Sequence, residues 1–192
     1  EWMARILVSD SIRSDAQLET KSEQERALIV GLSRVEDLDE LEALCESIGL
    51  IVVGRSAQLK TRPDPATYVG SGKAQEIALE AQALQADAVI VDDELTNAQQ
   101  NNLESILGLK VLDRTTLILE IFAQRATTHE GKLQVELAQL NYRASRLIGK
   151  GLVLSRITSG VGTRTRGPGE SKLEMDRRYI RGRINALRGE LD

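Results

Sequence analysis

The sequence contains one cysteine, one histidine and few aromatic rings, and each shortage removes a class of function. Cys45 alone cannot form an internal disulfide, and no charged-then-apolar signal segment opens the chain, so a reducing, cytoplasmic setting is the expectation. His129 alone excludes a zinc site of the His/Cys kind, and it has no neighbouring motif residues for a Ser-His-Asp triad. A polar surface histidine is expected there. Aromatic residues make up 3% of the chain, three of them Tyr, too few for the stacking platforms that read single-stranded nucleic acid. Any RNA contact must therefore rest on charge and shape. No apolar run approaches the roughly 20 residues of a membrane span, so none is expected.

What is present suits a globular protein: 192 residues, 41% hydrophobic and 28% charged, enough for one domain and an appendage. The net charge of -4 hides a polarity. Residues 140–192 hold 12 of the 25 Lys+Arg and 5 of the 29 Asp+Glu, a local +7, which leaves 13 against 24, or -11, for residues 1–139. A polyanion would be repelled by the body and drawn to the C-terminal part.

Residues 1–25 read as a leader. From residue 26, short β-branched runs alternate with amphipathic helical patterns. Strands are expected at 27–32, 50–54, 88–91 and 110–112. A first helix carries Leu38, Leu41, Leu44, Cys45 and Ile48 on one face and ends at Gly49. Cys45 among those leucines reads as a small buried hydrophobe rather than a nucleophile. A second helix over 73–84 has Ile77, Leu79 and Leu84 as candidate inner residues. Thr96 and Gln99 form a capping box for a third, closed by Gly108. This βα alternation predicts an α/β fold: a small, mainly parallel four-stranded sheet with flanking helices over residues 26–114. Strand order does not follow from it.

Over residues 115–192 the pattern changes to a helical hairpin arm. Helical spacing runs over 115–150, with a break allowed near Gly131. Leu133, Leu137, Leu140, Ala144 and Leu147 step by fours and threes, and Leu173, Ile180, Ile184, Leu187 and Leu191 repeat the seam. Two matching seams predict a long antiparallel two-helix coiled-coil hairpin. Between them, at about 149–170, lies a glycine- and arginine-rich tip loop. It is longer than a helix connection requires, as functional or disordered loops usually are.

The chemical motifs are few. Gly70-Ser71-Gly72-Lys73 fails as a P-loop, because Thr67 stands where the first glycine belongs and Ala74 follows the lysine. A glycine turn feeding a helix explains it. Asp92, Asp93 and Glu94 follow the third strand at the ligand-binding end of an α/β sheet, but they also precede a capped helix, where negative charge is favoured. No catalytic residue, metal ligand or cofactor-binding residue is assigned. The arginines differ, since within the tip Glu170 is the sole acid among several cations. Glycines let backbone approach RNA closely, and arginine forks onto phosphate. The expected RNA-binding residues are Arg143, Arg146, Lys150, Arg156, Gly160, Gly162, Thr163, Arg164, Arg166, Gly167, Gly169, Lys172, Arg177, Arg178 and Arg181. Two other readings stay open: a nucleotide or small-ligand site built from Gly70 to Lys73 and Asp92 to Glu94, and a coiled-coil dimerisation module without RNA.

Several words in order carry a resemblance: Tyr68-Val69-Gly70-Ser71-Gly72-Lys73, Asp92-Asp93-Glu94-Leu95, Asp113-Arg114-Thr115, the run from Ile121 to Ala126, the run from Glu130 to Leu140, and Arg166-Gly167-Pro168-Gly169-Glu170-Ser171-Lys172. Together they resemble the HflX family of translational GTPases. The resemblance implies a ribosome-binding N-terminal region whose glycine-rich loop, here Ser159 to Gly169, enters the large subunit near the peptidyl-transferase centre. It implies a stress-related role in splitting stalled ribosomes. It also implies a following GTPase domain that binds GTP and Mg2+, so these 192 residues alone are not expected to hydrolyse GTP. A monomer is expected. Two departures stand out: Ser159 replaces a family glycine, and the Thr-Arg pair is doubled as Thr163-Arg164-Thr165-Arg166.

Overall fold

The computed structural model describes residues 24–158 and 168–191, with side chains for 24–147 and 174–191. The expectations for the leader, and most of those for the tip, lie outside the described residues.

Four strands, β1 (Arg26–Gly31), β2 (Ile51–Ala57), β3 (Ala88–Val91) and β4 (Lys110–Asp113), form one sheet. Its order is β2-β1-β3-β4 and every pairing is parallel. Parallel neighbours need crossovers, and helices supply them. They are α1 (Asp39–Ser47), led in by a 3-10 turn at Val35–Leu38, then α2 (Ser71–Ala83) and α3 (Asn97–Leu107). Because β2 lies to one side of β1 and β3 to the other, α1 covers one face while α2 and α3 cover the opposite one.

Successive strand residues point to opposite faces. In β1, Leu28 and Val30 join Val89, Val91 and Val111 beneath Ala74, Ile77 and Ala81 of α2 and Leu103 and Leu107 of α3. Ala27 and Ile29 join Ile90 and Leu112 beneath Leu38, Leu41 and Cys45. Leu117 and Ile121 of α4 (Arg114–Arg125) complete that second layer, so α4 packs with the sheet although the sequence division at 114 assigns it to the arm. Gly54 is required by packing: a Cβ there would lie 2.5 Å from Leu84 Cδ1 and 3.1 Å from Leu28 Cδ1.

The helix ends follow local chemistry. Thr96 Oγ1 accepts from Gln99 N at 3.2 Å while Gln99 Oε1 accepts from Thr96 N at 2.9 Å, the capping box expected at the start of α3. Gly49 and Gly108 have φ of +86° and +65°, the left-handed conformation that ends a helix. One inner-face assignment is corrected: Leu79 is 69% exposed, whereas Ile77 is buried. Two residues along a helix turn by roughly 200°, so the two cannot share a face.

The helical span expected over 115–150, with its break near Gly131, is two helices. After α4 the chain extends at Ala126, and α5 (His129–Thr158) begins with Thr128 Oγ1 accepting from Gly131 N at 3.0 Å. Gly131 tolerates this because a Cβ there would lie 2.8 Å from that same oxygen. At 1.5 Å per residue α5 runs about 45 Å. A last helix, α6 (Pro168–Leu191), packs against it through Leu133, Leu140, Ile180, Ile184 and Leu187, with Leu137, Ala144, Leu147 and Leu191 alongside.

Candidate nucleic-acid interface

The expected RNA-binding residues separate into three groups. Gly160, Gly162, Thr163, Arg164, Arg166 and Gly167 lie outside the described residues. Lys150 and Arg156 fall in the C-terminal part of α5, and Gly169 and Lys172 in the first turns of α6, where the backbone alone is described. The remaining five arginines can be placed individually.

Arg146 is turned inward. Asp113, the last residue of β4 and only 2% exposed, caps α4 by accepting from Thr116 N at 3.0 Å and Thr116 Oγ1 at 2.7 Å. Its other oxygen accepts from Leu95 N at 3.3 Å, and from Tyr142 Oη and Arg146 Nη2, both on α5. Arg146 also donates to the Leu95 carbonyl, and its guanidinium lies 4.7 Å from the centre of the Tyr142 ring. Asn97 Nδ2 donates to the Ser145 carbonyl at 2.9 Å and ties α3 to α5. Burial, together with the Asp113 carboxylate, pushes the Tyr142 phenol well above its ordinary range, so it stays a donor. Arg146 is thus the charge that holds α5 to the sheet, and its cation is already neutralised.

Arg177 also works within the arm, donating to the Leu147 carbonyl at 2.7 Å. Arg183, further along α6, forks onto Glu136 of α5 at 2.7 and 2.9 Å and lies 3.6 Å from Glu190. Arg143 is half-buried and lines a cleft of about 150 Å³ between β4, α4 and α5, beside the buried Glu120. Arg178 and Arg181 are exposed.

The acids at the strand ends have local employment. Asp92 Oδ1 accepts from Arg114 Nη1 at 2.9 Å, and Arg114 also pairs with Glu40 of α1. Burial raises the Asp92 pKa, with Arg114 opposing the rise. Asp93 accepts from the buried Tyr68 hydroxyl at 2.7 Å, and Lys73 pairs with Glu76 at 3.2 Å. Cys45 is fully buried and His129 is exposed, as their sequence surroundings lead one to expect.

Sequence reasoning missed the Asp113 junction. The signal was present, since an aspartate closing an apolar strand three residues before a threonine is an N-cap pattern. That the same carboxylate would receive Tyr142 and Arg146 is a tertiary fact.

The profile described as GTP-binding GTPase N-terminal matches residues 35–123, and that described as GTP-binding GTPase Middle Region matches 125–192. The chain is 48% identical over 191 residues to the GTPase HflX of Caldanaerobacter subterraneus subsp. tengcongensis, covering 97% of this chain and 44% of that protein. It is 48% identical over 158 residues to the GTPase HflX of Escherichia coli (strain K12), covering 82% and 37%. The chain belongs to the HflX family. It spans less than half the length of these HflX relatives. A GTP-binding protein from the archaeon Sulfolobus solfataricus, solved with GDP, superposes at a TM-score of 0.58 and 26% identity, over 88% of this chain and 45% of that one. Between the two HflX profiles the changeover falls at residue 124, at the end of α4, next to the break that separates α4 from α5.

Proposed function

We propose that this chain is the ribosome-binding region of an HflX-type GTP-binding protein, and that it engages large-subunit rRNA near the peptidyl-transferase centre. In this reading α5 and α6 form an antiparallel coiled-coil arm, and the loop joining them is its RNA-contacting tip. The whole protein would split stalled ribosomes under stress, in the cytoplasm.

The observation that supports the reading is the division of charge along the chain. The sheet unit holds the acidic excess, while the basic excess lies on two long helices and the loop between them. The seams of α5 and α6 face each other within one chain. That weighs against a dimerisation module, because the apolar stripe a second copy would use is already covered. Engagement of Asp92, Asp93 and Lys73 by Arg114, Tyr68 and Glu76 weighs against a nucleotide site at the strand ends.

GTP and Mg2+ belong to the following GTPase domain of the family. The residues here do not fit them: Gly70 to Lys73 lacks the P-loop spacing, and among the described residues no three His, Cys, Asp or Glu side chains converge on a metal position. We assign no GTP-dependent step to this chain.

Cosedimentation with 50S particles over a salt series tests the proposal. Binding should weaken steeply with salt through counterion release, and Arg164→Ala/Arg166→Ala should bind more weakly with a shallower slope. Equal pelleting of wild type and variant at every salt concentration would rule out the tip.

A further inference from the structure

Where the arm crosses the sheet unit it leaves two adjoining hollows. The inner one, about 150 Å³, lies between β4, α4, α5 and α6, with Leu112, Leu119, Leu147 and Ile180 as its apolar walls. The outer one, about 490 Å³, lies between α4 and α5 and reaches Gln124 and Lys132. Glu120, Gln139 and Arg143 line both, so polar side chains stand where the hollows adjoin. Helical spacing explains the set: Glu120 and Gln124 share one stripe of α4, and Gln139 and Arg143 share one stripe of α5.

Most polar groups around the inner hollow are engaged elsewhere. Tyr142, Arg146 and the Thr116 hydroxyl serve Asp113, Gln100 donates to the Val111 carbonyl at 2.8 Å, and Lys110 lies 3.5 Å from Glu104. Two opposite charges are not so engaged. Glu120 is 7% exposed, yet its carboxylate receives a single hydrogen bond, from Gln139 Nε2 at the long distance of 3.4 Å. Arg143 is half-buried and makes no hydrogen bond or ion pair among the described residues, with Glu120 or with any other acid. A charge taken out of water without a matched partner is costly, so both side chains call for one.

We propose that the two hollows form a binding site for a free apolar α-amino acid of about leucine's size. Glu120 disfavours a ligand that carries only negative charge, a nucleotide among them, and Arg143 disfavours one that carries only positive charge. A molecule with an ammonium and a carboxylate satisfies both. The ammonium donates to Glu120 and to Gln139 Oε1, and the carboxylate accepts from the Arg143 fork. The side chain enters the apolar hollow, whose volume of about 150 Å³ suits a body the size of benzene. Such a ligand touches β4, α4, α5 and α6 at once, so it braces the join between the sheet unit and the arm. The proposal reassigns Arg143 and is independent of the RNA reading, whose contacts lie at the tip.

Isothermal titration calorimetry and thermal unfolding of the full chain with L-valine, L-leucine, L-isoleucine and L-methionine test it. At least one should bind saturably at a single site and raise the Tm as its concentration rises. For the tightest of the four, the amide, which lacks the carboxylate, and the deaminated acid, which lacks the ammonium, should each bind about tenfold more weakly or worse. Arg143→Gln should weaken the amino acid by about tenfold and leave its amide unchanged, and Glu120→Gln should do the same for the amino acid against its deaminated acid. Because each variant is compared on two ligands, a general loss of folding lowers both alike and does not imitate the pattern. No saturable binding of any of the four to wild type overturns the site. Equal binding of the amino acid and both analogues, or wild-type affinity in both variants, overturns it too.

Discussion

Asp113 and Arg146 are 33 residues apart in sequence and form an ion pair where the sheet meets α5, with side chains 2% and 15% exposed. One carboxylate thereby ends β4, caps α4 and holds the middle of α5. This pair and the Asn97–Ser145 bond beside it tie α5 to the sheet unit.

Breaking the pair from one side leaves a buried charge uncompensated. Arg146→Met should destabilise the fold by about 3 kcal/mol, the low end of the range for such pairs, because Thr116 and Leu95 still donate to Asp113. Urea unfolding followed by circular dichroism measures it. Asp113→Asn/Arg146→Met should cost less than the sum of the two single changes, since each single change removes the same interaction. A wild-type midpoint in Arg146→Met would show that the pair does not stabilise the junction.

Cys45 gives a pH prediction. Burial pushes its thiol from an ordinary 9.0 up to about 12, so the folded chain keeps the proton while the unfolded chain loses it. Stability from this group is fully present below pH 9.0 and falls as the pH rises towards about 12, by about 1.4 kcal/mol per pH unit. The buried Tyr68 and Tyr142 shift in the same direction from 10.0, so the cleanest window for the thiol is between 9.0 and 10.0. Across it the urea midpoint of wild type should drop further than that of Cys45→Ala. Parallel curves would contradict the assignment.

The two ends of α3 should contribute independently. Thr96→Ala removes the side-chain acceptor for Gln99 N, and Gly108→Ala forces a Cβ onto a φ of +65°. Each should lower stability by about 1 kcal/mol, and the double variant by about 2, because the ends share no partner. Thermal unfolding of the three variants provides the check.

Much of this architecture was legible because its signals are local. The capping box at Thr96, the closing glycines at 49 and 108 and the β-branched runs each state their own conformation, and they agree with the observed elements to within a few residues. Leu79 looks like an inner residue by composition but faces outward by helical period, and the α4–α5 break is fixed by Thr128, which accepts from Gly131 N. Strand order stayed hidden because nothing in β1 states that β3 rather than β4 will lie beside it. Arg146 shows the limit most clearly. Its neighbours along the chain make it look like a surface cation, and only the fold brings Asp113 to it.

Directed hydroxyl-radical probing tests the central claim most directly. The lone cysteine is buried, so Cys45→Ala with Ser159→Cys provides a single attachment point for an iron chelate at the tip. Bound to 50S particles, this conjugate should cleave large-subunit rRNA around the peptidyl-transferase centre, and excess unlabelled chain should suppress the cuts. Cleavage confined to the outer surface of the subunit, or none from a chain that still pellets with it, would contradict a tip that reaches the rRNA there.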